Sequence, residues 1–317
     1  MGRTISNDFS WSKSRSEKFR ECLRAYYLHY YRSWGGWDPE APQETRQLYV
    51  LKKLGNRFTW AGSVVHETIR NILISIRFGR PVQAAESIDV AYRVMREDYR
   101  HSSRKGYWKG NYRREFSGLV EHEYGLVLPG DVWKANWEAV KSALEWFLNS
   151  RWISLANSLR PEQWLEVDSV DHQSSVFWLD GTKVFAIPDF AFLADDGSPV
   201  VVDWKTGRAR PGYDDQILGY ALYLSERHRF SPERVQARIV YLSEGLEQNV
   251  QVDRASLERF RASFQRSTGE MKQLLSDIDS NLPKAEAHFP MTADIERCAH
   301  CVFRRPCGRE NAIAQVA

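Results

Sequence analysis

The stretch from Ile187 to Gly207 constrains this chain more than any other, because one turn in it dictates which side chains face each other. It contains Ile187-Pro188-Asp189, then Asp195-Asp196-Gly197, then Val200-Val201-Val202-Asp203-Trp204-Lys205-Thr206-Gly207. Apolar runs on both sides of Asp195-Asp196-Gly197 read as strands, and a three-residue loop ending in Gly suits a type I turn closed by a left-handed glycine. That loop pairs Ala194 with Ser198. Counting outward, Asp189 faces Asp203, and strand alternation places Lys205 on the face of Asp203 with Trp204 on the other. Two opposed carboxylates repel, and a divalent cation between them relieves the repulsion and accounts for a lysine alongside. The plain alternative is a solvated strand end, since charged residues usually face water. Three valines before Asp203 and the apolar Phe185-Ala186-Ile187 before Asp189 argue for burial, and a buried acid needs a partner. A slip of one residue would turn Asp189 to the opposite face, so the geometry is conditional on this turn.

With 317 residues the chain suits one large domain or two small ones. Hydrophobic residues at 43% and charged ones at 27% exclude a disordered or collagen-like chain. No apolar run approaches the ~20 residues of a membrane span, and the first residues lack the apolar core of a secretion signal. The expectation is therefore a cytoplasmic protein with four reduced cysteines. A net charge of +3 is too small to prove a polyanionic partner. One stretch concentrates the charge: Arg104, Lys105, Tyr107, Trp108, Lys109, Tyr112, Arg113 and Arg114 interleave basic and aromatic side chains in a glycine-containing loop. Such a loop can hold phosphates and stack bases. It can equally be a solvated helix connection whose aromatics cap the core.

Periodicity orders the rest. Ser14-Arg15-Ser16-Glu17 has the form of a capping box, and Phe19, Leu23, Tyr26, Tyr27 and Tyr30 follow at helical spacing, so a first helix carries Cys22. Helical spacing resumes through Leu48, Leu51 and Leu54. It then runs from Gly62 through His66 to Ile69, Ile72 and Leu73. Residues 84–159 read as mostly helical, an insertion or arch. From Trp164 the period becomes two, with strands expected at 164–170, 176–179, 184–193 and 199–204. A helix over 211–225, a buried strand over 237–242 and a helix over 255–275 complete the pattern.

Gln216 and Tyr220 lie four apart, so they share one helix face beside the hairpin. An amide and a phenol so placed can bind phosphate oxygens, although surface and core packing is the ordinary explanation of such a pair. His66, beside Val64, Val65 and Ile69, is by itself more often structural than a ligand. Together, Gly62-x-x-x-His66, Asp189, Asp203-x-Lys205 and Gln216-x-x-x-Tyr220, in this order, resemble the RecB-type branch of the PD-(D/E)XK nuclease superfamily. The resemblance implies that His66, Asp189, Asp203 and the backbone carbonyl of Trp204 hold Mg²⁺ or Mn²⁺. It implies too that Lys205 supports the attacking water and the scissile phosphate, and that Gln216 and Tyr220 assist. Asp203 stands where many relatives have glutamate.

Cys298-x-x-Cys301, Cys307 and the remote Cys22 are all the cysteines of the chain. Four thiolates can hold an iron–sulfur cluster or one zinc ion, and they can also be unrelated buried thiols. Their arrangement resembles that of RecB-like iron–sulfur exonucleases, including the CRISPR-associated type, which implies a 4Fe-4S cluster in preference to zinc. Such a centre would clasp the two ends of the chain together. Arg297, Arg304, Arg305 and Arg309 around it would contact nucleic acid or offset the cluster's negative charge.

The expected fold is an α/β PD-(D/E)XK restriction-endonuclease-like core, a mixed central sheet flanked by helices, with a helical insertion and an iron–sulfur clasp joining the termini. Its expected parts are an N-terminal helical region (1–61), an arch carrying His66 (62–163), the nuclease core (164–290) and the cysteine segment (291–317). The implied function is that of a metal-dependent DNA nuclease, an exonuclease on single-stranded DNA in repair, recombination or defence. A competing class is a catalytically silent nucleic-acid scaffold that acts with a partner. No Gly-x-x-x-x-Gly-Lys-(Ser/Thr) motif occurs, so processive cutting would rely on a partner such as a helicase or a CRISPR adaptation protein.

Overall fold

Alternation along the valine run builds the centre of the molecule. The structure, a computed structural model, describes residues 6–110, 118–167, 176–209 and 213–310. In chain order its strands are β1 (Ser10–Trp11), β2 (Leu54–Gly55), β3 (Gly118–Leu119), β4 (Trp164–Val167), β5 (Val176–Leu179), β6 (Thr182–Phe185), β7 (Phe190–Leu193), β8 (Pro199–Lys205), β9 (Gln236–Tyr241), β10 (Leu246–Val250), β11 (Leu275–Asp277) and β12 (Leu282–Pro283), so the helix expected over 255–275 gives way to a strand at Leu275. The helices up to the sheet are α1 (Lys13–Glu21), α2 (Leu23–Tyr27), α3 (Gln43–Lys52), α4 (Arg57–Arg77), α5 (Ala84–Ser103), α6 (Val120–Glu123), α7 (Gly130–Asn149) and α8 (Arg151–Ser158). After it come α9 (Asp214–His228), α10 (Arg254–Lys272) and α11 (Ile295–Ala299).

The main sheet has the order β10-β9-β8-β7-β4, with β8 and β9 parallel and every other pair antiparallel. Two apolar layers cover its faces. Val200, Val202 and Trp204 point into one layer with Val64, Val65 and Ile69 of α4 and with Phe147 and Trp152 of α7 and α8. Val201, Ile239 and Tyr241 point into the other, with Ile217, Ala221 and Leu224 of α9 and with Phe260 and Phe264 of α10. This is why β8 reads as an unbroken apolar run: both of its faces are buried. A second sheet, β1-β6-β5, brings the N-terminal Trp11 beside α10, where its indole donates to Ser267 Oγ at 3.2 Å.

Three expectations need correction. The first helix is capped by Ser12, whose side chain accepts from Arg15 N at 3.1 Å, and not by Ser14, because the chain leaves β1 only at Trp11. Cys22 does not sit within that helix. Its backbone is extended (φ −163°, ψ 115°), and its sulfur takes the N-cap place of α2, accepting from Ala25 N at 3.5 Å. The expected strand over 184–193 is two strands in two sheets, β6 and β7. Pro188 lies between them, and a residue without an N–H cannot continue a ladder. The edge strand β10 had no period-two signal.

Candidate active site

The turn at Asp195-Asp196-Gly197 sets the register on which the site depends. Gly197 takes a φ of 74°, and Ala194 and Ser198 pair across the loop, Ala194 N donating to Ser198 O at 2.9 Å. Phe190 then pairs with Val202, so the next residues outward, Asp189 and Asp203, face each other as the turn geometry predicts. Trp204 is locked into the apolar layer behind them, its ring edge-on to Phe147 and Trp152 with centroids 5.3 Å away in both cases. That anchoring fixes the backbone at the end of β8. Trp204 N donates to Asp189 Oδ2 at 2.7 Å, so the established link between Trp204 and the acids is its N–H.

Two helices bring the remaining groups from opposite faces of the sheet. From α4, His66 Nδ1 lies 3.1 Å from Asp189 Oδ1. One turn earlier Gly62 passes the end of β8, where a Cβ would stand 3.2 Å from Thr206 Oγ1, so the glycine permits the helix to come close. On the other side, Lys205 Nζ lies 2.7 Å from Asp203 Oδ2 and donates to Gln216 Oε1 of α9 at 2.8 Å. Gln216 Nε2 in turn donates to the Tyr220 hydroxyl at 2.6 Å. Each predicted member of this constellation therefore touches another member. The sequence reading missed Tyr213, whose ring lies under Lys205 Nζ at 4.4 Å. A cation-π partner eight residues away in a loop leaves no spacing signal.

Burial makes these contacts electrostatically strong. The Asp203 side chain is only 3% exposed, and burial, reinforced by the neighbouring Asp189 charge, pushes its carboxyl up to about 6 against the pull of Lys205. Burial opposes a charge on His66 as well, yet the Asp189 charge and hydrogen bond, with help from Asp203, outweigh it and raise the ring to about 9. The acids thus hold more negative charge than water can screen, and Lys205 and His66 supply the compensation. The two carboxylates are hard oxygen donors of the kind that suits Mg²⁺ or Mn²⁺, and the imidazole beside them is a borderline nitrogen donor. Among the described residues no group of three or more His, Cys, Asp or Glu side chains is arranged to hold a metal ion. At the acids, Lys205 Nζ occupies Asp203 Oδ2 at 2.7 Å and His66 Nδ1 occupies Asp189 Oδ1 at 3.1 Å.

The cysteines come together from both ends of the chain. Arg24 N and Nε, just after Cys22, donate to Pro290 O at 3.1 Å and Phe289 O at 2.8 Å, and its guanidinium also pairs with Glu286. Tyr27 stacks on Phe289 with centroids 4.6 Å apart. The tail then folds back on itself: Cys307 N donates to Phe303 O, and Phe303 N to Cys301 Sγ at 3.4 Å. Burial, then the proximity of Cys301, Cys22 and Cys298, pushes the Cys307 thiol up to about 12. The absence of a group of three or more His, Cys, Asp or Glu side chains arranged to hold a metal ion among the described residues applies to these cysteines as well.

The basic aromatic loop is placed differently from the nucleic-acid contact expected for it. Tyr107 is fully buried and donates to Glu123 Oε2 at 2.8 Å, so it cannot stack a base. Trp108 Nε1 donates to the same oxygen at 2.8 Å, and Lys105 Nζ to Glu123 O at 2.9 Å. Arg305 closes the group from the tail at 2.7 Å from Glu123 Oε1. Arg104 and Lys109 flank this cluster, and Tyr112, Arg113 and Arg114 lie outside the described residues. The tail arginines are likewise engaged within the protein. Arg297 pairs with Asp294, the Arg304 guanidinium lies 3.7 Å from the Tyr124 ring, and Arg309 reaches Thr292 O.

The mixed sheet carries Asp203 and Lys205 at the end of its central strand and Asp189 just before the neighbouring one, between helices that add an imidazole and an amide. A model of the PD-(D/E)XK nuclease superfamily matches residues 10–308, and the chain belongs to that superfamily. It is thus a nuclease in general kind, of a group whose members generally use divalent metals such as Mg²⁺ or Mn²⁺. A comparison with curated proteins finds no match. Among the described residues no helix is long and apolar enough to cross a membrane.

Proposed function

We propose that this protein is a Mg²⁺- or Mn²⁺-dependent deoxyribonuclease of the RecB type that degrades single-stranded DNA from an end and carries a 4Fe-4S cluster on Cys22, Cys298, Cys301 and Cys307. The observation that supports it most is the contact chain Asp203–Lys205–Gln216–Tyr220 set beside Asp189 and His66. Asp189, Asp203, His66 and the Trp204 carbonyl would hold the cation, which supplies Lewis-acid polarisation of the phosphate and a water of lowered pKa. Lys205, released from Asp203, positions the nucleophile and stabilises charge growing on the phosphoryl oxygens. Gln216 holds the lysine in place, and Tyr220 fixes the amide, so the ammonium is oriented before substrate arrives. The preference for single strands and ends, and the choice of a cluster over zinc, follow the resemblance of motifs and cysteines to the RecB-type iron–sulfur branch. Duplex DNA would be opened by a helicase or a CRISPR adaptation partner.

Three labelled substrates test the reading: a linear single strand, the same strand circularised, and a duplex, each with Mn²⁺ or with EDTA. Degradation of the linear strand alone, abolished by EDTA, is expected; cutting of the circle would replace end cutting with internal cutting. Protein purified without oxygen is expected to be brown, with broad visible absorbance. A colourless protein with stoichiometric zinc would overturn the cluster assignment.

A further inference from the structure

The row of α4 that carries Gly62 and His66 at four-residue spacing runs back one more turn to Phe58. Phe58 is 64% exposed, and the Arg57 guanidinium carbon lies 3.8 Å from the centre of its ring. Neither side chain serves the start of the helix. Asn56 Oδ1 caps it by accepting from Phe58 N at 3.0 Å and Thr59 N at 2.9 Å, and Arg57 lends only its backbone N–H, to Glu121 Oε1. Among the described residues no carboxylate pairs with the Arg57 guanidinium. Phe78, just past the other end of α4, is likewise exposed (66%) with the Arg80 guanidinium carbon 5.7 Å from its ring centre, so exposure and a cation alone do not single out Phe58.

Position gives this pair its meaning. Gly62 lies against Thr206, immediately after Lys205, so the helix runs past the end of the catalytic strand. At 1.5 Å of rise per residue, Phe58 stands about 12 Å along the helix from His66. That span corresponds to roughly two to four nucleotides, according to how far a strand is stretched beyond the stacked form.

We infer that Phe58 is a stacking platform for one base of the single strand, a few nucleotides from the bond that is cut, and that Arg57 holds an adjacent phosphate. The inference rests on the proposed nuclease reading of the same site and adds to it a subsite for the substrate. A π-face accepts any base, so the platform gives affinity without sequence preference. A cation already seated on the ring brings charge for the backbone at the same place.

Binding of a fluorescein-labelled oligothymidine in EDTA, with cleavage in Mn²⁺, tests this on the full chain. Phe58→Ala is expected to weaken binding and raise KM by about 5- to 100-fold, with a much smaller change in kcat, and Phe58→Trp to restore both. Arg57→Ala is expected to lower the slope of log affinity against log salt by about 0.7, which Phe58→Ala leaves as it was. A strand with abasic residues in the platform register is expected to bind wild-type protein as weakly as Phe58→Ala binds the intact strand, with no further loss in the variant. Unchanged binding by Phe58→Ala, or an equal abasic penalty in variant and wild type, overturns the platform. Far-ultraviolet circular dichroism confirms that each variant is folded. A wild type that binds but does not cut defeats the nuclease reading while the binding comparison still decides on Phe58. A wild type that binds no strand defeats both.

Discussion

Lys205 sits between the groups that need it in two different states. In the structure its ammonium neutralises a carboxylate buried beside a second one, and in the proposed mechanism it faces a phosphate. Lys205→Ala is therefore expected to lower cleavage by about 100-fold or more and to leave DNA binding nearly intact. Loss of binding with unchanged cleavage per bound molecule, measured in single turnovers, would contradict that role. His29 gives an independent pH test away from the site. Its Nδ1 is buried without a partner, and burial, then Lys18 and Lys52, holds the ring well below 6.5. The unfolded chain takes up a proton near 6.5 that the folded chain refuses, so the neutral ring's contribution is full above that pH and is lost as pH falls below it. Urea midpoints at pH 7.5 and pH 5 are expected to drop toward acid in the wild type and to drop less in His29→Phe. An equal drop in both would exclude His29 as the source.

At the scale of elements, what was legible depended on local chemistry. A three-residue turn closed by glycine specifies its own register, so the facing of Asp189 and Asp203 could be counted from the sequence. The helix row from Gly62 to His66 and the Gln216–Tyr220 pair were readable because helical spacing is regular. Other features depend on partners far away in the chain and had no local signal. The pairing of β6 with β1 depends on a strand arriving from the N-terminus, although Pro188 marked the break after β6 locally, and the break at Cys22 depends on where the tail docks. The basic aromatic loop left two readings open because cations and indoles suit a buried carboxylate as well as a phosphate, and at Lys105, Tyr107 and Trp108 it is Glu123 that takes them. Glu123→Ala leaves the Tyr107 hydroxyl and the Trp108 indole N–H without an acceptor and is expected to destabilise the fold by about 1–3 kcal/mol. Arg305 adds little to that figure, because its side chain is 48% exposed. An unchanged melting temperature would mean that another contact holds the loop.

For the whole molecule, the two ends of the chain are tied to each other and to α6. The segment of Cys22 meets the tail through the Arg24 contacts to Glu286, Phe289 and Pro290, and Arg305, between Cys301 and Cys307, reaches α6 through Glu123. Cys22→Ser and Cys307→Ser are each expected to reduce bound iron and lower the melting temperature, whereas Lys205→Ala keeps the iron content at its wild-type value. Full iron content in either serine variant would remove that cysteine from the ligand set. The acids at the end of β8 remain the centre of the account. Its most direct test is single-turnover cleavage of a linear single strand by wild type, Asp189→Asn and Asp203→Asn, with Mn²⁺ and with EDTA. The account predicts that wild type cuts only with the cation and that both variants bind the strand but cut at least about 100-fold more slowly. Wild type that binds the strand in Mn²⁺ and leaves it whole, or asparagine variants that cut at the wild-type rate, would contradict it.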